Sequence, residues 1–554
     1  MQPFIASQPE HRIWTRSRTI LPYSFNMAGK DEVVAAAAHS HVEDNDPKGG
    51  EDFIEDSTPG LFLNLCVVAT AIGGMLFGYD TGVISGVLVV LGTDLNGRLL
   101  DHWEKELITA LCAAGALFGA IIAGVTADKY GRKPAIWFSS VLFTVGALVQ
   151  ATSYSLTQMC VGRILVGLGV GSASMIIPLY IAEISPAKYR GRMISIDMVF
   201  LGTGSLLAYG FDAAFYKVPH GWRYMVGLGG IPSILLGVLL FWCPESPRQL
   251  LFHNQTEECV SVLRRMYPTA DETQVSQMVA HIQHGVTQAK ALNEEVSVRQ
   301  SLKSLVKVPA NRRAAIVACG LMATQQLCGF NTLMYYSSTL FQIVGFNNPI
   351  AVGTIVTATN WIFTFLSIFL IDRVGRRRLL LWTMWGMPVF LVLAAGVFVR
   401  IPIDRDTLEL TDDTIGWPAI VVLVSMILFV ACYAAGLGCV PWQANEFLPM
   451  EVRAMGTMMI NICNWGPNII VSSTFLSMMR GISPSGTFGF YAALSTIGFI
   501  FVYLCYPEAA GMTLEEIRVV FEHGFGVRYA EEWRKQKKLG VITHGVEERT
   551  KETV

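Results

Sequence analysis

Charge is what this sequence has least of. Asp, Glu, Lys and Arg make up 15% of its 554 residues and hydrophobic residues 52%, whereas soluble domains carry roughly a quarter charged residues. A formal net charge of -2 offers no basic surface to nucleic acid and no strongly charged face to any other partner. None of the eleven cysteines forms a C-x-x-C pair, and ten lie in or beside apolar stretches. That argues against a zinc site or a disulfide framework, and the thiols read as small buried hydrophobes. No Ser/His/Asp set and no metal-ligand cluster stands out, so neither an enzyme nor a metal or organic cofactor is expected. "GLGVGS" (167–172) looks like part of a dinucleotide loop. It lies inside an apolar run, where small residues let helices pack closely.

Long apolar runs are what the chain has instead. Runs near the length that crosses about 30 Å of hydrocarbon fall roughly at 61–84, 106–127, 135–153, 157–181, 193–214, 223–243, 314–343, 349–371, 379–399, 418–441, 454–478 and 487–505. The spacing predicts an all-α membrane protein of twelve transmembrane helices. The first run is too long and too far from Met1 to read as a cleaved signal. An even number of spans puts both termini on one side, together with the connectors "DKYGRK", "AKYRGR" and "DRVGRRR". These are dense in Lys and Arg, so the positive-inside rule assigns that side, and both termini, to the cytoplasm. The organisation expected is a disordered cytoplasmic tail (1–58), a six-helix half (59–245), a cytoplasmic helical linker (246–312), a second six-helix half (313–506) and a cytoplasmic tail (507–554). "NQT" (254–256) fits a glycosylation pattern, but it falls in the cytoplasmic linker.

The halves repeat each other. "PLYIAEISPAKYR" (178–190) and "PWQANEFLPMEVR" (441–453) share P-x4-E-x2-P-x3-R without a gap, and "DKYGRK" (128–133) matches "DRVGRR" (372–377). Duplicated six-helix halves with a substrate site between them are the plan of one large transporter fold. Asp128, Arg132, Glu183 and Arg190 then sit at the cytoplasmic rim of one half, and Asp372, Arg376, Glu446 and Arg453 at the rim of the other. Such charges can act as a gate that breaks and re-forms as the halves rock. Anchoring by the positive-inside rule plus helix capping explains the basic residues equally well, but not the matched glutamates.

Polar residues at membrane depth are costly and tend to mark function. Asp80 lies late in the first span and Arg163 early in the fourth, so both belong in the outer half of the membrane. An ion pair between them is expected; separate snorkelling suits the arginine but not a short aspartate. Asp212 is placed near the outer mouth, and Asp197 reads as a cap or as a partner of Arg190 or Arg192. Gln325 and Gln326 can share a helix face with Asn331, give or take local unwinding at Gly329. With Asn360, Trp442, Asn464 and Trp465 they form a set of neutral donors, acceptors and aromatic faces, all from the second half. That chemistry suits an uncharged polyhydroxylated solute, although each amide singly could serve helix–helix bonding.

With "GYDTGVISG", "GRILVGLGVG", "PESPR" (244–248), "QQLCGFN" and "VPWQANEFLP" added to the motifs above, the chain resembles the sugar porter family of the major facilitator superfamily over about 60–520. Within it, "QQLCGFNTLMYYSSTLF", "ATNWIF" and "TFLSMMRGISPSGTF" look most like the fungal proton-coupled myo-inositol transporters. Hexose carriers of the family usually place a Gln, after an Asn, where this chain has Asp197 and Met198. Its "PEAAG" (507–511) replaces the usual "PETKG". Both departures point to the inositol group. The resemblance implies a major facilitator fold, with Asp80 as the proton-binding carboxylate and Arg163 as its partner. It implies substrate contacts at Phe77, Gln325, Gln326, Asn331, Asn360, Trp442, Asn464 and Trp465, with Tyr335 and Tyr336 closing over the solute. The function expected is import of a neutral polyol, myo-inositol first, by alternating access with the proton as coupling ion. A proton-coupled hexose or pentose carrier and a transporter-like nutrient sensor are the alternatives. A monomer among plasma-membrane lipids is the expected setting.

Overall fold

A computed structural model describes residues 59–186, 189–295, 298–404, 408, 410, 416–509, 512 and 514–538. The segment 1–58, expected to be disordered, lies outside the described residues. Helices make up nearly all the rest. The first half holds α1 (Leu61–Val90), α2 (His102–Tyr130), α3 (Arg132–Ala151), α4 (Leu156–Ile184), α5 (Arg190–Phe215), and the consecutive α6 (Gly221–Leu228) and α7 (Gly230–Leu239). The connecting segment is helical: α8 (Pro247–Phe252), α9 (Thr256–Met266), α10 (Glu272–Glu295) and α11 (Val298–Lys307). The second half holds α12 (Pro309–Leu327), α13 (Phe330–Ile343), α14 (Pro349–Val374), α15 (Arg376–Met384), α16 (Gly386–Phe398), α17 (Trp417–Ala435), a 3-10 turn (Val440–Phe447), α18 (Met450–Gly481) and α19 (Pro484–Cys505). After them come α20 (Leu514–Glu522) and α21 (Val527–Lys538).

Ten of these stretches are long and apolar enough to cross a membrane. The two apolar runs of the sequence that fall short are α12–α13, broken at Gly329, and α18, which carries Asn461, Asn464, Asn468, Ser472, Ser473 and Ser477. Hydropathy dips in these runs because they hold polar groups inside the bundle rather than apolar ones toward lipid. Gly329 adopts φ +89, a left-handed conformation that glycine alone takes at little cost, and there the seventh run breaks into two helices. α1 continues to Val90, beyond the run expected at 61–84, so Asp80 lies deeper from the helix end than the hydropathy profile indicates.

Lipid provides no hydrophobic drive between helices, so close backbone approach must hold them together. α1 meets α5 through Gly74, Gly78, Gly82 and Gly86, one every fourth residue. A Cβ on Gly78 would lie 1.7 Å from the Leu201 carbonyl oxygen. Ser205 crosses this seam, donating to the Gly78 carbonyl at 2.9 Å. Large side chains turned outward, such as Ile234 and Phe241 of the first half and Phe365 and Phe369 of the second, are exposed, as lipid-facing positions are.

The halves meet through α2 on α18, α5 on α14 and α1 on α13. Exchanging the halves turns the first pair into the second and leaves the third unchanged, as a two-fold relation requires. The linker docks at the end of the bundle where α1 begins: the Gly60 N–H donates to Met266 of α9 at 3.2 Å. Caps mark several helix starts. Asp101 and Glu104 form a capping box at α2, and Arg98 pairs with Glu104 at 2.6 Å.

The seam makes a clear prediction. Gly78→Ala should lower the stability of the detergent-solubilised protein by about 1–3 kcal/mol, the usual cost of overpacking. Gly210→Ala on α5, where a Cβ has nothing within 4 Å, should leave the melting temperature unchanged.

Candidate functional site

Inside the first half, Asp80 and Arg163 meet. The Arg163 Nη1 lies 2.6 Å from the Asp80 Oδ1, with the two side chains 1% and 9% exposed. α2 completes the arrangement. The Ile108 carbonyl accepts the Arg163 Nε at 3.1 Å, and the Cys112 Sγ donates to the second carboxylate oxygen at 2.9 Å. A buried ion pair is tolerated only when its remaining donors and acceptors are satisfied, and these two contacts serve that need.

Between the halves lies a cavity lined by both. Phe77, Thr81, Met198, Leu201 and Ser205 form its wall in the first half. Gln325, Gln326, Asn331, Asn360, Trp442, Tyr433 and Thr364 are among those facing them from the second. Of the eight residues proposed from the sequence for substrate contact, six line this space. Trp465, Asn464 and the closing Tyr335 stand behind it. Trp465 packs on Phe77 with ring centroids 5.4 Å apart, and its buried indole N–H has no hydrogen-bond partner. Asn464 accepts from the Gln326 Nε2 at 2.5 Å. Tyr335 donates to Asn468 at 3.3 Å.

Gln326 is the hub of the amides. Its oxygen accepts from Asn331 and from Asn468 at 3.1 Å, while its nitrogen donates to Asn464. Gln325 donates to the carbonyls of Leu437 and Gly438 at 3.1 and 3.0 Å. That ties the break after α12 to the turn after α17. Asn360 lines the cavity without a described hydrogen bond of its own. The polar wall thus belongs to the second half and carries no charge, and the first half contributes apolar and hydroxyl groups. Tyr335 joins the two parts of the site, since it lies in the field of Asp80, Cys112 and Arg163 while bonding Asn468.

The two ends of the bundle differ. Away from the linker the halves touch through hydrogen bonds. The Ser85 Oγ donates to the Ser338 Oγ and accepts the Ser338 N–H, both at 2.9 Å. Tyr209 donates to the Met334 carbonyl at 2.8 Å. In a helix that N–H and that carbonyl are partners, so side chains of α1 and α5 bond to both ends of one rung of α13. Ser477 of α18 donates its N–H and its hydroxyl to Glu106 of α2 at 2.8 and 2.5 Å. None of these residues was singled out from the sequence, because serines in an apolar run read equally well as packing residues.

At the linker end the described ion pairs of the charged set each lie within one half. Arg132 pairs with Asp128 and with Glu183, both at 3.1 Å, and Arg376 pairs with Glu446 at 2.8 Å. Arg190 donates to the Ala182 carbonyl and Arg453 to that of Leu448, both at 3.1 Å. The Asp372 side chain lies outside the described residues. Two further carboxylates join this end, one per half. Glu245 accepts the Arg132 and Lys133 N–H groups at the start of α3, at 3.0 and 3.1 Å. Glu508 accepts those of Arg376 and Arg377 at the start of α15, both at 3.1 Å. A helix N-terminus favours such a charge. The signal was present in the sequence: each follows a proline just after the last span of its half.

Two other aspartates differ from expectation. Asp212, expected near the outer mouth, is fully buried and accepts the Gly86 N–H at 3.2 Å. Asp197 packs against Gly74 of α1 rather than beside Arg190 or Arg192.

Residues 65–521 match the family model described as "Sugar (and other) transporter". Myo-inositol transporter 1 of Cryptococcus neoformans var. grubii is 44% identical over 479 residues, covering 86% of this chain and 84% of that protein. Myo-inositol transporter 2 of Schizosaccharomyces pombe is 42% identical over 509 residues, covering 92% and 90%. Among solved structures, the proton:xylose symporter XylE bound to 6-bromo-6-deoxy-D-glucose superposes with a TM-score of 0.65 at 26% identity, covering 83% of this chain and 99% of that one.

The hub predicts an asymmetry between the walls. Gln326→Leu removes a hydrogen-bond partner from Asn331, Asn464 and Asn468 and should raise the KM for the transported solute about tenfold or more, as loss of a buried polar partner does. Met198→Leu, which keeps the apolar wall, should leave KM within about twofold. Uptake kinetics normalised to surface expression measure both.

Proposed function

Since this chain belongs to the sugar transporter family, we propose that it is a proton-coupled symporter that imports myo-inositol by alternating access. One observation carries the reading: a buried aspartate–arginine pair stands beside a cavity whose polar lining is all uncharged. Amides and indole rings match the hydroxyl groups and C–H faces of a neutral polyol. A carboxylate or phosphate substrate would call for a cation in the cavity wall. Both compared relatives are named for myo-inositol, which the apolar Met198 in the first-half wall also favours over a hexose.

In this reading the linker end is cytoplasmic, along with both termini. The Lys and Arg of the connectors at that end support this orientation. The arrangement described is then closed outside. Asp80 takes a proton from the outer side when that side opens, which releases Arg163. The solute enters and bonds the second-half amides through Gln326 and its neighbours. Closure brings Ser85 to Ser338 and Tyr209 to Met334, and Tyr335 relays the rearrangement between the amides and the pair. When the solute has left toward the cytoplasm, Asp80 gives up its proton and the ion pair re-forms. The pairs at the linker end, now confined to their own halves, exchange partners when that end closes. Each step needs only a few kcal/mol, since the two states must remain near balance. We place the transporter in the plasma membrane as a monomer surrounded by lipid.

Uptake of labelled myo-inositol, xylose and glucose in a transport-deficient host, at two external pH values, tests the assignment. Myo-inositol should be taken up best and accumulate more at the lower pH. A clear preference for xylose or glucose would replace the inositol reading with a monosaccharide one. Asp80→Asn should abolish accumulation against a gradient while solute exchange continues, and undiminished accumulation by that variant would refute proton coupling at this residue.

A further inference from the structure

Glu106 has no part in the cycle just described, yet it is the one described carboxylate that bonds across the halves at the outer end. It is 3% exposed. Both its oxygens are engaged, Oε1 by the Ser477 N–H at 2.8 Å and Oε2 by the Ser477 hydroxyl at 2.5 Å. The amide it captures belongs to a helix, where it would ordinarily serve the carbonyl of Ser473. The contact joins the two helices that matter most to coupling. α2 supplies Ile108 and Cys112 to the Asp80–Arg163 pair, two and six residues beyond Glu106. α18 supplies Asn464 and Asn468 to the amide hub, thirteen and nine residues before Ser477.

We propose that Glu106 is a positioning residue for the transport cycle: as a carboxylate it latches α18 to α2 and holds the outer end closed, and on protonation from outside it lets that end open. The inference rests on the symport reading and adds a second proton-sensitive group to it. Charge-assisted hydrogen bonds are roughly twice as strong as neutral ones. A protonated Glu106 can still meet Ser477 through one accepted and one donated bond, but without the charge. External acid would therefore do two things in concert, loading Asp80 and loosening the outer latch.

The groups around Glu106 leave room for such a switch. Tyr336 of α13 and Tyr491 of α19 lie in its field. His102 and Lys105 precede it on α2, with Arg480 of α18 in the field of His102. α4 brings Arg163, which is already held by Asp80. α3 brings no charged residue between Val141 and Ala151. No cation within salt-bridge reach of Glu106 is described.

The test reads outer opening directly. Thr81→Cys puts a thiol in the cavity wall, with the native Cys439 of that wall replaced by Ala, and an impermeant maleimide added outside labels it only while the outer end is open. The background carries Asp80→Asn, so that Asp80 contributes no titration. Raising external pH from about 4 to about 8 crosses the glutamate range and should slow labelling about fivefold or more, the ratio expected between charged and neutral bonds. Each rate is divided by that of a free thiol at the same pH, because only the thiolate reacts. Glu106→Gln imitates the protonated latch and should label at the faster rate at both pH values. Ser477→Ala keeps the N–H contact, so it should speed labelling while preserving the pH dependence; it also serves should Glu106→Gln not reach the membrane. The latch is refuted if labelling in the background shows no pH dependence, or if Glu106→Gln keeps it. Accumulation by Asp80→Asn would refute the symport reading alone, so the two failures are distinguishable.

Discussion

A single ion pair in an apolar bundle organises this molecule. Asp80 and Arg163 lie 2.6 Å apart with almost no exposure, where either charge alone would be strongly unfavourable. Their neighbours are arranged to satisfy them: a carbonyl and a thiol from α2, and the phenol of Tyr335 near enough to sense both. Because the carboxylate and the guanidinium depend on each other, a proton on Asp80 changes what Arg163 must do. In the proposed cycle this change reaches the solute through the cavity wall.

The path of that change is short. Tyr335 bonds Asn468, Asn468 bonds Gln326, and Gln326 bonds Asn331 and Asn464. Around it the scaffold is rigid where glycines let α1 and α5 touch. Where α1, α2 and α5 of one half meet α13 and α18 of the other, it is held by hydrogen bonds beside apolar contacts. Hydrogen bonds between serine, tyrosine and backbone can be exchanged for water at modest cost, so this end can open without unpacking either half. At the linker end, two glutamates cap corresponding helix starts in the two halves. Each rim is thereby a finished unit that can swing away from the other.

Much of this was legible in the sequence because the membrane enforces it. Long apolar runs, basic connectors and the duplicated P-x4-E-x2-P-x3-R pattern follow from solvation and from repetition, which leave period and composition behind. Asp80 and Arg163 stood out because charge at depth is rare, and the amides of α12, α13 and α18 because they interrupt apolar helices. Serines gave no such signal. Ser85, Ser338 and Ser477 look like any small residue in a span, and Glu106 looked like part of a helix start near Asp101.

The sequence by itself determined the class of protein, the two halves, the charged pair and the neutral character of the cavity, since each rests on the cost of placing a residue type in hydrocarbon. Only the tertiary structure decided which amide is the hub, which predicted residues line the cavity and which stand behind it. It also decided that Asp197 and Asp212 face α1, and that Glu106 reaches across to Ser477. Those are matters of helix rotation and distance between segments far apart in the chain. One span has the same composition whichever way it turns, and only packing against its neighbours selects the face it presents.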